Sequence, residues 1–179
     1  MIRIVIAEDQ EMLLGTLGSL LNLEDDMEVV GQACNGEEAL MLAHQLQPDI
    51  CLMDIEMPEK SGLEAAEALI GFGCKVIILT TFARTGYFKR ALKADVKGYL
   101  LKDSPSEELA GSIRSIMDGQ RIYSNELIDE ESDKMELEKE EIDQPDGLVI
   151  NNPLSQQDQK TGVKNYLSTF IDKIKLPTG

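Results

Sequence analysis

The sequence predicts an open, doubly wound α/β domain of five parallel strands with a short helical appendage behind it. Three observations predict this. Short apolar runs alternate five times with segments of helical period up to about Tyr123. Four of the five runs are rich in Val, Ile or Leu and bounded by polar residues or Gly, as strands buried on both faces are. Carboxylate, hydroxyl and ammonium side chains stand at the ends of these runs rather than within them.

Ile2–Ala7 is the first strand, and Gln10–Leu23 the first helix, with Leu13, Leu17 and Leu20 expected on one face. Met27–Ala33 alternates more than the other runs, which suits an edge strand. Gly36–Gln47 is helical in period and follows Asn35, an N-cap residue type. Ile50–Met53 is a third strand. Ser61–Phe72 opens with Ser61 and carries Glu64 three residues on, the signature of a capping box. Lys75–Leu79 is the fourth strand and Arg84–Ala94 the next helix. Gly98–Leu101 is the fifth strand. Ser104–Gly119 begins Ser-Pro, with Pro105 at the first helical position, and ends on Gly119. Right-handed crossovers through these helices build a parallel sheet covered on both faces. Among the common orders, 2-1-3-4-5 (the flavodoxin-like one) makes strands one, three and four central neighbours, with their carboxyl ends at the ligand crevice.

Composition sets limits on the rest. Net charge is −16 over 179 residues, which disfavours holding the whole chain on DNA by its field. No apolar run approaches the ~18 residues of a membrane span, so no membrane insertion is expected. Nor does the start carry a signal-peptide pattern, and a cytoplasmic location is the expectation. Cys34, Cys51 and Cys74 lack metal-type spacing and read as small apolar residues in a reduced compartment. His44 reads as an ordinary helix residue.

The strand ends carry the chemistry. Strand one ends at Glu8-Asp9, strand three at Asp54, strand four at Thr80-Thr81 and strand five at Lys102. Each is a common residue in its place, but the topology delivers all of them to one sheet edge. Carboxylates this close repel, which should raise the pKa of at least one unless a cation neutralises them. Mg²⁺ fits such an oxygen-donor set. Asp54 is then a candidate nucleophile toward a phosphoryl donor, with Lys102 offsetting the charge in transit.

The runs IAEDQ, CLMDIEMP, IILTTF and GYLLKDSP, in this order and spacing, resemble the receiver domain of bacterial two-component response regulators. The resemblance extends over Met1 to Tyr123. In detail the chain is most similar to the NarL/LuxR-type group, and within it to DesR-like regulators. The resemblance implies Asp54 as phosphoacceptor, with Glu8 and Asp9 as the acidic pair around Mg²⁺. It implies a metal-facing backbone carbonyl at Glu56, a switch hydroxyl at Thr80 rather than Thr81, an aromatic switch at Tyr99 and a phosphate-contacting Lys102. Asp95 stands where the family usually has Gly, a replacement a left-handed turn tolerates. The resemblance also implies a sensor histidine kinase as donor and a phosphorylation-dependent homodimer. The face formed by the fourth helix, fifth strand and fifth helix is the expected dimer surface, with the leucine-rich first helix as a rival. No enzyme acting on a diffusible substrate is expected, only self-catalysed phosphotransfer and dephosphorylation. An aspartate-nucleophile phosphatase or hydrolase, with Glu56 as acid–base group, is the alternative.

Beyond the receiver region, 1–123, an acidic linker is expected over 124–152 and an amphipathic helical tail over 153–179. From Asn125 to Asp146 only Lys134 and Lys139 are basic. In the tail Val163, Tyr166, Leu167, Phe170, Ile171 and Ile174 recur at helical spacing. NPLSQQ and TGVKNYLSTFIDKIKL faintly resemble the start and the recognition helix of a helix-turn-helix, without the helices expected between them. Three readings stand: a remnant that docks on the receiver or on a second copy, a retained DNA reader, or a helix for a partner or membrane surface. DNA binding by this chain is the disfavoured one.

Overall fold

A computed structural model describes residues 1–81, 86–103, 106–124 and 148–151. Five of its strands fall where the apolar runs lie: β1 (Ile2–Ala7), β2 (Met27–Ala33), β3 (Ile50–Met53), β4 (Lys75–Thr80) and β5 (Gly98–Leu101). The helices between and after them are α1 (Glu11–Leu21), α2 (Gly36–Leu46), α3 (Gly62–Ala68), α4 (Tyr87–Lys93) and α5 (Ser106–Met117). All pairings are parallel, and the order begins β2-β1-β3-β4-β5, as expected, with β2 at an edge.

The sheet is wider than five strands. β6 (Arg121–Ser124) pairs with β5, and β7 (Leu148–Asn151) pairs with β6, giving seven strands in all. β5 is therefore not an edge strand. The cause lies beside it: Gly119, at φ 97°, turns the chain out of α5, and Ile122 and Tyr123 find buried places against the sheet. β7 falls within the span 124–152 expected as a linker. The helical tail expected over 153–179 lies outside the described residues.

Alternation along each strand divides the core in two. Val5, Ala7, Cys51, Met53 and Ile78 face α2, α3 and α4. Ile4, Ile6, Ile50, Leu52, Ile77 and Leu79 face α1 and α5. This is the period-two projection of a strand buried on both sides. On α1 the buried stripe is Leu14, Leu17, Gly18 and Leu21. It is rotated from the expected Leu13, Leu17 and Leu20, because the i, i+3, i+4, i+7 set containing Gly18 lets the helix lie close to the sheet.

Local signals explain where helices start. Asn35 Oδ1 accepts from the Glu38 N–H at 2.8 Å. Ser61 and Glu64 form the full capping box, the Glu64 carboxylate accepting from the Ser61 N–H at 2.9 Å. Each such cap contributes about 1 kcal/mol. The expected capping at Ser104 and Pro105 and the start of the fourth helix at Arg84 fall outside the described residues. β3 closes at Met53, and the chain loops through Pro58 and a left-handed Glu59 before Ser61 caps α3.

Candidate functional site

The sheet places its polar termini around one cavity of about 230 Å³, lined by Asp9, Gln10, Asp54, Glu56, Thr80, Thr81, Tyr87 and Lys102. β1, β3 and β4 are neighbours in register, with Ala7 opposite Met53 and Met53 opposite Ile78. The residues that follow these positions therefore emerge side by side.

Glu8 and Asp54 are buried, and Asp9 is exposed. One oxygen from each of these three carboxylates lies within 4.8 Å of the others. Lys102 Nζ sits 2.6 Å from Glu8 and 3.0 Å from Asp54, on a side chain that is itself only 6% exposed. The lysine thus bridges the two buried acids, and does so more closely to Glu8. Its backbone N–H donates to the Thr80 carbonyl at 2.8 Å, which fixes the end of β5 against the end of β4.

The two oxygens of Asp54 are held differently. Oδ1 accepts from the Ile55 N–H at 2.7 Å, and Oδ2 faces Lys102. The Glu56 amide adds a further hydrogen bond to this carboxylate. Burial pushes the Asp54 carboxyl above the usual carboxylate range, with Lys102 and the two amides pulling back. Burial likewise raises Glu8, against the same lysine. Glu8 Oε1 also accepts from the Gln10 N–H at 3.3 Å.

The floor of the site is built by close backbone approach. A Cβ at Gly62 would stand 1.9 Å from the Asp54 carbonyl oxygen, and one at Gly36 would stand 2.6 Å from the Lys60 carbonyl oxygen. Both positions need glycine for space. They let the first turns of α2 and α3 pack against the loop from Asp54 to Ser61, and this packing presents Asp54.

Thr80 closes β4 and is buried, whereas Thr81 is exposed, although both line the cavity. Tyr99 lies inside rather than at the mouth. It is fully buried, its ring centroid 5.5 Å from that of Phe88. Glu56 is exposed at the rim. Asp95 adopts the left-handed turn expected of it, at φ 56°. Gln10 and Tyr87 also line the site and were not legible as site residues, since neither ends a strand. Adjacency to the acidic pair was the one available signal for Gln10.

All donors in the acidic cluster are hard oxygens, the set Mg²⁺ takes. The residues present fit that ion: Glu8, Asp9 and Asp54 supply the carboxylates, and the open cavity leaves room for water. The arrangement can hold an anion beside a carboxylate nucleophile, with one ammonium group at hand.

Comparison with known proteins agrees. The response regulator receiver domain family matches residues 4–114. The transcriptional regulatory protein DesR of Bacillus subtilis is 57% identical, over 98% of this chain and 92% of its own length. A LuxR-family DNA-binding response regulator from Staphylococcus aureus superposes with a TM-score of 0.63 at 38% identity, over 65% of this chain and 99% of that one. The receiver domain of the response regulator NarL from Mycobacterium tuberculosis does so at 0.64 and 27%, over 66% and 98%.

Proposed function

This chain belongs to the response regulator receiver family, and we propose that Asp54 is the residue that takes the phosphoryl group from a sensor histidine kinase. An Asp54 carboxylate oxygen attacks the phosphorus of the kinase phosphohistidine. The P–O bond forms, the P–N bond breaks, and the imidazole leaves with the electron pair. The product is an acyl phosphate on β3's carboxyl end.

The observation that carries this reading is the Lys102 bridge between Glu8 and Asp54. It places a cation 3.0 Å from the nucleophile, where negative charge accumulates during transfer. The Ile55 amide holds the other Asp54 oxygen, so the carboxylate keeps one orientation. Glu8, Asp9 and Asp54, with the Glu56 backbone carbonyl, would hold Mg²⁺, which when bound offsets the charge on the phosphoryl group. The Thr80 hydroxyl is the candidate to bond a phosphoryl oxygen after transfer, and Tyr99 the ring that responds. These groups bias a two-state equilibrium rather than turn over substrate.

DesR of Bacillus subtilis is named a transcriptional regulatory protein, and transcriptional control is the role we carry to this chain. The link from phosphorylation to output is a homodimer that strengthens when Asp54 is phosphorylated. The chain itself is not a catalyst for a diffusible substrate, beyond its own phosphorylation and dephosphorylation, and works in the cytoplasm beside its kinase.

The test is incubation with acetyl phosphate followed by intact-mass measurement. One phosphoryl mass is expected, dependent on Mg²⁺ and absent in Asp54→Ala. A phosphoryl mass retained by Asp54→Ala removes the assignment. Phosphate released from a generic ester at many equivalents per chain would point to a hydrolase instead.

A further inference from the structure

Away from the cavity, on the face covered by α2 and α3, two thiols meet. Cys51, in the middle of β3, is fully buried. Cys74, immediately before β4, is half-buried. The two sulfurs are 3.7 Å apart, with the Cys51 thiol donating to Cys74. Cys34, the third cysteine, is exposed and belongs to a different part of the surface, at the end of β2.

We infer that Cys51 and Cys74 form a peroxide-responsive pair, in which Cys74 is oxidised first and Cys51 resolves it to an intramolecular disulfide.

Position assigns the roles. Cys74 is the thiol a small oxidant can reach, and Cys51 lies behind it without access of its own. The hydrogen bond from Cys51 favours the thiolate of Cys74 and lowers its pKa, whereas Cys51 is pushed up by the same contact and by burial. The thiolate is the nucleophile in such chemistry, so the accessible sulfur is also the reactive one.

The steps balance. The Cys74 thiolate attacks one oxygen of hydrogen peroxide. The S–O bond forms, the O–O bond breaks, and the departing hydroxide takes a proton to become water. The Cys51 sulfur then attacks the sulfenic acid sulfur. The S–S bond forms, the S–O bond breaks, and the Cys51 proton leaves with hydroxide as a second water. Two thiols are oxidised by two electrons, and one peroxide is reduced.

Bond formation needs the sulfurs to close from 3.7 Å to about 2.05 Å. The segment carrying Cys74 can supply that movement. Gly71 and Gly73 flank its approach at φ 77° and 105°, and neither has any atom within 4 Å of where a Cβ would stand. The chain is open on the outside at these two glycines, while Phe72 between them packs edge-on against His44 at 4.5 Å and Cys51 stays fixed in the sheet. Disulfides in reducing compartments are mostly transient and redox-sensing, which suits a pair one of whose members is screened. The bond would tie β3 and β4 together, the strands that end at Asp54 and Thr80.

The full chain is reduced, freed of reductant and treated with hydrogen peroxide. Free thiols are counted after denaturation, and the peptides are mapped without reduction. The expected result is loss of two of the three thiols, a peptide containing Cys51 linked to one containing Cys74, and recovery on adding dithiothreitol. Cys34→Ser should leave the link unchanged, and Cys51→Ser should leave Cys74 as a sulfenic acid trapped by dimedone. Wild-type chain in which Cys51 and Cys74 stay reduced overturns the inference. So does wild-type chain in which Cys74 proceeds to sulfinic acid without linking, or one linked only between chains through Cys34. The peptide map of the wild type decides the matter even if Cys51→Ser fails to fold. None of these outcomes depends on whether Asp54 is phosphorylated.

Discussion

Glu8 and Asp9 are neighbours in sequence with unlike environments. Glu8 is 1% exposed and paired with Lys102, while Asp9 is open to solvent. The raised carboxyls of Glu8 and Asp54 give the metal site a pH dependence whose sign follows directly. A carboxyl with a raised pKa holds its proton to higher pH than an ordinary one at about 4. Mg²⁺ needs both groups ionised, so its affinity falls as pH drops through the raised values. Titration calorimetry at successively lower pH should show weakening binding and proton release that grows toward the acid end, beginning above the pH at which ordinary carboxyls protonate. Binding that weakens only where ordinary carboxyls protonate would contradict the raised carboxyls. Lys102 supplies a second expectation, because its ammonium occupies the space between the acids that a cation would otherwise neutralise. Lys102→Met should bind Mg²⁺ more tightly at neutral pH and yet accept phosphoryl groups more slowly, by on the order of tenfold or more for one lost electrostatic contact. Tighter binding with an undiminished rate would show that the lysine serves the resting site and not the transfer. These charged residues were legible in the sequence because each one terminates an apolar run, and a parallel sheet brings such ends together. The order of intimacy among them was not legible. That Lys102 lies nearer Glu8 than Asp54 depends on side-chain packing, which no spacing encodes.

The elements that hold these residues were legible for a different reason. Strands buried on both faces write themselves as unbroken apolar runs, and four of the first five strands have the bounds those runs have; β4 runs one residue further, to Thr80. Gly62 shows what such reading leaves out. It sits at the start of α3, and nothing but the 1.9 Å approach to the Asp54 carbonyl reveals why a glycine is needed. Gly62→Ala should therefore destabilise the chain by about 1–3 kcal/mol, as overpacking does. It should also depress Asp54 phosphorylation in folded protein, and urea unfolding with acetyl phosphate labelling reads both. A fully stable and normally labelled variant would mean that the loop yields. β6 was missed because RIYS offers only two apolar residues. Its place comes from tertiary contacts instead. Tyr123 stands opposite Tyr99 in the ladder, packs edge-on against Phe88 at 5.3 Å and donates its hydroxyl to the Val96 carbonyl at 3.0 Å. The proposed switch ring and the strand leading toward the C-terminal region thus share one aromatic cluster. Tyr123→Phe keeps the ring and removes the bond to the Val96 carbonyl and the one accepted from Arg121 at 3.2 Å, each worth about 0.5–1.5 kcal/mol in urea unfolding. Tyr123→Ala should cost about 3–5 kcal/mol by analogy with other large aromatic truncations. If dimerisation is read through this cluster, Tyr123→Phe should retain the phosphorylation-dependent gain in dimer affinity. With β6 on its flank, β5 no longer supplies an open edge, and a dimer surface on this side must use helix faces rather than strand pairing.

At the scale of the whole molecule, charge and architecture pull on the output in opposite directions. Relatives of nearly the same extent are named as transcriptional regulators, and one covers 98% of this chain. Yet the chain carries 33 acidic against 17 basic residues, and the run from Asn125 to Asp146 concentrates the imbalance just after the receiver. Affinity for duplex DNA comes largely from lysine and arginine contacts to phosphates and the counterions they release. Residues 153–179 carry Lys160, Lys164, Lys173 and Lys175 as their only basic residues, too few to supply much of that term. A recognition helix also needs a partner helix to hold it in the major groove. A lone helix of the length expected there is marginal in water, and covering its apolar stripe would hide the surface that enters the groove. The expected outcome is that phosphorylation strengthens the dimer while sequence-specific DNA binding stays weak in both states. Binding to a promoter library, measured at several salt concentrations with and without acetyl phosphate, tests this. A shallow, sequence-independent salt slope is expected, because only a few phosphates can be neutralised. A complex near the ~10⁻⁸ M of dedicated regulators, strengthened by phosphorylation, would show that the tail reads DNA despite the field around it. The control of transcription would then run through direct contact rather than through a partner bound by the phosphorylated dimer.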